Sequence, residues 1–276
     1  MTAAYPPDQH LLRDLRFSFE HEPDGRSSRA WMPVVPELCT DLGSARAGAL
    51  ATLVDVIGGG LAAAAAAPGW IATADLTLHL VRAARPGSTV EARATVLRAG
   101  RTTVVIEVAL VDADDEQRDI GIATMSFAVL PRRDINPDVS TIRESPSTMA
   151  LPGSRLARPL LDELAVTVRD PARGIIEVPV GEWTLNSMGA MQGGVVATVA
   201  EVATETAARA ATSEPLVVTD LYVTYLGFGK VGPVTSAVDI LATAPGHASA
   251  RVELVDAGAE NRQMTIVHAA ATRGLE

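Results

Sequence analysis

The sequence predicts an α+β chain in which one unit is used twice, each unit an antiparallel sheet wrapped around a single long helix. Three observations carry this. Leu185–Glu205 (LNSMGAMQGGVVATVAEVATE) opens on polar residues and glycines, then runs on as an apolar helix with one early acid, Glu201. Cys39–Gly59 (CTDLGSARAGALATLVDVIGG) has the same layout around Asp55, and the two acids lie 146 residues apart in a chain of 276. Around each helix, short runs of alternating apolar and polar residues are separated by turn residues, as strands are. A helix that is apolar on most sides must be covered on most sides, and a curved sheet does this.

In chain order, 17–22 (FSFEHE) alternates as a half-buried strand, PDG at 23–25 is turn chemistry, and 28–35 reads as the returning strand. A loop over 36–46 leads into a helix from about Gly48 to Ala66, ended by Pro68-Gly69. Strands follow at 71–81, 89–98, 102–111 and 121–130, with turns at Pro86-Gly87 and Ala99-Gly100 and a charged tip over 112–118. Residues 132–160 hold Pro137, Pro146, Pro152 and Pro159 and several serines without periodicity, which marks a linker. The second half repeats the first: strands at 164–169 and 174–180, a loop over 181–191, a helix over 192–212, then strands at 217–226, 249–256 and 264–272. Asp220 answers to Asp75 and Gly232 to Gly87, both 145 residues on, so several features share nearly one offset. The expected domains are therefore 10–131 and 161–276, joined by 132–160.

Composition narrows the function classes. An apolar fraction of 47% with 20% charged residues describes a folded globular protein. A net charge of −10 argues against nucleic-acid binding, which needs a basic surface. The single cysteine, Cys39, offers neither an internal disulfide nor a metal cluster, and the N-terminus has no apolar signal core, so a cytoplasmic protein is expected. The apolar run 47–67 is about as long as a membrane span, but Asp55 and three successive glycines within it favour a buried helix over membrane insertion.

The loop-to-helix pattern N-x-x-G-x-x-[H/Q]-G-G, met here as Asn186 to Gly194 with an acid nine residues after Gln192, resembles the hotdog-fold thioesterases. The phenylacetate-pathway type of acyl-CoA thioesterase is the most similar branch, and the resemblance covers both halves outside the linker. It implies that the two units pair side by side into one continuous sheet, an intramolecular pseudo-dimer. It also implies that each site joins the acid of one unit to the loop of the other.

On that pattern the two sites differ. Site one takes Asp55 as base or nucleophile, with Asn186 and Gln192 to orient substrate or water. Gly193 supplies the amide donor to the carbonyl, and Thr73, eighteen residues after Asp55, assists. Its departure from the family is glutamine in place of the commoner histidine. Site two would join Glu201 to the first loop, where Thr40 replaces asparagine and Arg46-Ala47 replace the His/Gln-Gly pair; alignment on Asp220 puts Val218 at the hydroxyl position, and plain spacing puts Thr219 there. An Arg46–Glu201 ion pair is expected to depress that carboxylate's pKa and occupy it, so site two reads as degenerate. Gly194, Gly48 and Arg46 are expected to contact substrate.

The chemistry behind these assignments is general. Thioester hydrolysis needs a carboxylate that attacks or activates water, and donors for the developing oxyanion. Amides in the first turn of a helix are unpaired and sit at its positive end. The expected function is hydrolysis of an acyl-CoA thioester, the alternative being an acyl-ligand-binding hotdog protein without turnover. Hydration of an enoyl-CoA is disfavoured, since no histidine lies near Asp55 or Glu201 in sequence. His10, His21, His79, His247 and His268 show no ligand spacing, and no GxSxG or dinucleotide fingerprint occurs, so neither a metal nor a cofactor beyond the substrate's coenzyme A is expected. Arg82, Arg85, Arg98, Arg101, Arg132 and Arg133 are candidates for its phosphates. Gly58-Gly59-Gly60 reads as room for an acyl chain, as close packing against the partner helix, or as a kink, and the chain as a candidate homodimer.

Overall fold

The structure is a computed structural model, in which residues 5–133 and 146–275 are described, and the linker residues 134–145, Pro137 among them, lie outside that range. Thirteen strands form one antiparallel sheet with two long helices against it. The first half runs α1 (Leu11–Asp14), β1 (Ser18–His21), β2 (Ser27–Pro33), α2 (Ala47–Ala66), β3 (Trp70–Leu80), β4 (Thr89–Ala99), β5 (Thr103–Asp112), β6 (Asp115–Leu130) and β7 (Ser147–Thr148). The second runs α3 (Leu160–Glu163), β8 (Thr167–Asp170), β9 (Ile175–Val178), α4 (Gly193–Thr212), β10 (Val217–Tyr225), β11 (Val234–Ala244), β12 (His247–Asp256) and β13 (Arg262–Thr272).

The sheet order is β7-β1-β2-β4-β5-β6-β3-β10-β13-β12-β11-β9-β8. The halves meet where β3 pairs with β10, with Leu78 opposite Leu221 and Asp75 opposite Thr224. Each half is thus a hotdog unit, and the pair forms one sheet around two helices. The alternation read from sequence is the alternation of burial: β12 buries every second residue, from Ala248 through Val252 to Asp256. The helix α2 is long and apolar enough to cross a bilayer by length and composition, but here the sheet and α4 cover most of it.

Four elements were not read from sequence. The one-turn helices α1 and α3 are too short to show a helical period. The strand β11 follows from the repeat but was not placed. The short β7 falls inside the segment 132–160 expected to be a linker and pairs with β1 through Phe19 and Ser147, so that segment supplies one edge of the sheet.

The two helices touch through a reciprocal pair of glycines. A Cβ on Gly48 would overlap Thr198, and one on Gly194 would overlap Thr52. Each threonine hydroxyl donates to the carbonyl four residues back, Thr52 to Gly48 at 2.8 Å and Thr198 to Gly194 at 2.9 Å. Gly48 and Gly194 are therefore helix-contact residues with no room for substrate, contrary to the role expected for them.

Candidate active site

Each long helix is entered by the same loop. In the second half Asn186 N–H donates to Ala190 O and Gly189 N–H to Asn186 O; in the first, Thr40 and Gly43 do the same with Ser44 and Thr40. Gly43 and Gly189 hold positive φ of 75° and 68°, the conformation that glycine tolerates best. The loops are alike, but the groups they present are not.

Site one gathers what was expected of it. Asp55, Thr73, Asn186 and Gln192 all line one cavity of about 420 Å³, and Asp55 lies beside Gly193 at the start of α4. The Thr73 hydroxyl donates to Asp55 Oδ1 at 2.9 Å, which leaves Oδ2 facing Gly193. A Cβ on Gly193 would lie 2.7 Å from that oxygen, so glycine is required for the carboxylate to sit there. Protein surrounds Asp55 while one side opens on the cavity, and burial pushes its pKa up to about 6, opposed by the Thr73 hydrogen bond. The helix α4 has no side-chain cap, and the Gly193 amide has no partner among the described residues. It is an open donor at the positive end of a helix.

Two neighbours refine the site. The Tyr225 hydroxyl donates to Gly193 O at 3.0 Å, fixing the first residue of α4. Its own pKa is raised, first by burial and then by the charge of Asp55. The Tyr5 hydroxyl donates to Leu185 O at 3.2 Å and shares a hydrogen bond with the Gln192 side chain; burial and Asp55 raise its pKa as well. Gln192 is only 6% exposed, held at the cavity wall. Asn186 turns its Oδ1 inward to accept the Met188 and Ala190 amides at 2.9 and 3.2 Å, so it also shapes the loop. Neither tyrosine was found from sequence. Tyr5 belongs to no motif, and Tyr225 reaches the helix start across the packing of α4 on β10, 32 residues on in sequence.

Site two is filled. Glu201 is 0% exposed and accepts Ala47 N–H at 3.1 Å and Gly48 N–H at 2.9 Å, so it occupies the amides that its counterpart leaves open. Arg46 stands 3.6 Å from Glu201 and 3.2 Å from Glu205. The ion pair is as expected, but its effect on the pKa is not. Burial outweighs Arg46 and the two amides, and Glu201 is raised, not depressed. Glu205 is raised too, by burial and then by Glu201. Arg46, expected to meet substrate, is 7% exposed and committed to these two acids. Glu205 was not singled out, although its spacing of four from Glu201 puts both on one helix face.

The hydroxyl position resolves as well. Register shifts flank Ala74 in β3 and Thr219 in β10, so Val218 stands where Thr73 stands. Thr219 donates to Asp220 at 2.8 Å, and Val218 offers only its amide, to Glu205 at 3.2 Å. Glu205 itself lies 146 residues after Gly59, which lines the cavity of site one. A long acid thus stands where the other half leaves space. Of the three glycines, Gly58 packs against Met125 while Gly59 and Gly60 border the cavity, and α2 runs on through all three.

The architecture is the hotdog fold in tandem. A sequence model of the Thioesterase superfamily matches residues 42–118, the segment that carries Asp55 and Thr73. No curated protein matches the sequence. Among solved structures, an acyl-ACP thioesterase from Bacteroides thetaiotaomicron VPI-5482 is similar with a TM-score of 0.59 at 11% identity, over 91% of this chain and 99% of that one. The tesB protein of Mycobacterium avium subs paratuberculosis gives 0.59 at 15% identity, over 91% and 94%. The 12:0-ACP thioesterase of Umbellularia californica gives 0.59 at 10% identity, over 89% and 93%. At such identities the likeness is one of fold.

Proposed function

We propose that the protein hydrolyses an acyl thioester, with coenzyme A as the carrier, at site one alone. One observation carries this reading: of two equivalent positions, only Asp55 faces a cavity beside an open helix-start amide, while Glu201 covers its own. The thioester carbonyl would accept the Gly193 N–H, which is aimed where negative charge develops. Asp55 takes a proton from water as that water attacks the carbonyl carbon. The tetrahedral oxyanion then collapses, the C–S bond breaks, and the proton returns from Asp55 to the leaving thiolate. A carboxyl pKa of about 6 suits a base working near neutrality, since it is ionised there yet more basic than an ordinary aspartate. Thr73 holds Oδ1 and orients the carboxylate. The apolar cavity walls, Val56, Ile57, Ala63 and Ile71 among them, would take the acyl chain.

The test is release of free thiol from a panel of acyl-CoAs by the wild type, Asp55→Ala and Glu201→Ala. Loss of turnover in Asp55→Ala with turnover kept in folded Glu201→Ala is expected. Full activity in Asp55→Ala refutes the assignment. Tight binding of an acyl-CoA without cleavage by the wild type makes the protein an acyl-ligand binder instead.

A further inference from the structure

The cavity of site one is not closed by the hotdog units alone. Part of its wall comes from the N-terminal segment, through Tyr5, Pro6, Leu12 and Arg13, and part from within the linker, through Ser147 to Met149. These two pieces share one fastener. Arg13 donates Nε to Pro7 O at 2.7 Å, Nη1 to Met149 O at 2.9 Å, and Nη2 to Pro6 O. All three guanidinium nitrogens are spent on main-chain carbonyls, from two segments more than a hundred residues apart in sequence. A planar fork with fixed donor directions does this; a lysine ammonium could not hold both strands in one geometry. The segment is further pinned by His10, whose Nδ1 accepts the Leu12 amide at 3.1 Å, so that Nε2 carries the proton and donates to Leu185 O at 2.7 Å. The Tyr5 bond to the same carbonyl completes the attachment to the loop of site one.

We propose that Arg13 is a positioning residue that fixes the length of acyl chain the site accepts, by fastening the N-terminal segment to the strand at Met149 as the wall of the chain-binding cavity. The proposal rests on the hydrolase reading of site one. A cavity of about 420 Å³ is in the range that takes a small-molecule ligand, and the fastened wall bounds the space left for an acyl chain, so longer chains meet it before shorter ones.

The experiment compares kcat/KM for octanoyl-, dodecanoyl- and hexadecanoyl-CoA in the wild type, Arg13→Ala and Met149→Phe. The wild type is expected to favour the two shorter chains. In Arg13→Ala the hexadecanoyl-to-octanoyl ratio rises about tenfold or more, the scale on which pocket size discriminates chains. In Met149→Phe the dodecanoyl-to-octanoyl ratio falls. Arg13→Ala with all three rates lowered in parallel overturns the proposal, because a purely structural role lowers them together. Should Arg13→Ala fail to fold, an unchanged ratio in Met149→Phe overturns it equally. Hydrolysis of none of the three by the wild type, or of any other acyl-CoA, removes the hydrolase reading and this proposal with it.

Discussion

Glu201 accepts the Gly48 amide at 2.9 Å across the helix pair, whereas Asp55, its counterpart 146 residues earlier, leaves the Gly193 amide open. The difference is one methylene. The longer side chain reaches the partner helix and caps it; the shorter one stops beside it and keeps an oxygen facing the cavity. Of two equivalent places at the interface, one borders a cavity with an open amide and the other is closed by a brace.

Asp55→Asn should lower turnover by about 10²–10⁴-fold, the usual worth of a positioned acid–base group. Wild-type kcat/KM should rise with pH and level off above about 6. The same substitution should stabilise the fold, and the sign follows from the raised pKa. Below the ordinary value of 3.8 the carboxyl is neutral whether folded or unfolded, and above about 6 it is charged in both, at full desolvation cost. The stability gain of Asp55→Asn, read from denaturant midpoints, should therefore appear between these values and persist above them. A variant less stable than wild type at pH 8 would show that the charge is compensated, not strained.

Glu201→Ala should spare hydrolysis and harm stability, since it leaves the Ala47 and Gly48 amides without their acceptor. It removes one of two acids around a buried guanidinium and weakens the cap on α2, and broken buried pairs cost about 3–5 kcal/mol. Here Glu205 remains to hold Arg46, so a loss of roughly 1–3 kcal/mol is expected. Urea unfolding and thiol release on the same preparation separate the two effects; a large fall in turnover per folded molecule contradicts the division of roles.

Gly194→Ala and Gly193→Ala are adjacent substitutions with opposite signatures. At Gly194 the added methyl overlaps the Thr52 backbone, which cannot yield without parting the helices, so a stability loss of about 1–3 kcal/mol is expected. At Gly193 the methyl meets the Asp55 carboxylate, a side chain that can swing aside. Activity should fall there by tenfold or more with the melting temperature little changed, since displaced catalytic groups lose rate steeply. Equal thermal shifts for the two variants would argue against this contrast.

Both glutamates of the brace carry raised pKa values, with Glu205 raised by burial and by Glu201. Ionising Glu205 in the folded state is therefore costlier than in the unfolded chain, and the cost grows as pH rises above the ordinary glutamate value. Glu205→Gln should flatten the stability-versus-pH curve on its alkaline side. The check is the wild-type-minus-variant difference in unfolding free energy, followed from acid to alkaline pH: it should fall as pH rises, and a difference that stays level or rises refutes it.

Much of this was legible in the sequence. Period-two burial marked most strands, and the repeated loop-helix pattern marked both acids and the glycines around them. Asp55, Thr73 and Gly193 met as expected because each is tied to its element by local spacing. What escaped was set by contacts between distant segments. Tyr5 and the α1 segment carry no periodic signal, since their place is decided by Arg13 and His10 bonding to carbonyls elsewhere. The raised pKa of Glu201 escaped for a different reason. An ion pair can be guessed from residue types, but its balance against burial depends on how much water is excluded.

The sequence by itself determined that the chain is one unit used twice, where each central helix begins, and which acid kept its partner loop. These follow from periodicity, turn chemistry and an internal offset, all of which are local or repeated. Only the tertiary structure decided that Gly48 and Gly194 serve helix contact, that Arg46 is committed to two glutamates, and that the N-terminal segment walls the cavity. Those outcomes depend on which surfaces exclude water from one another, and that is fixed only when β3 meets β10 and the two helices close on their glycines.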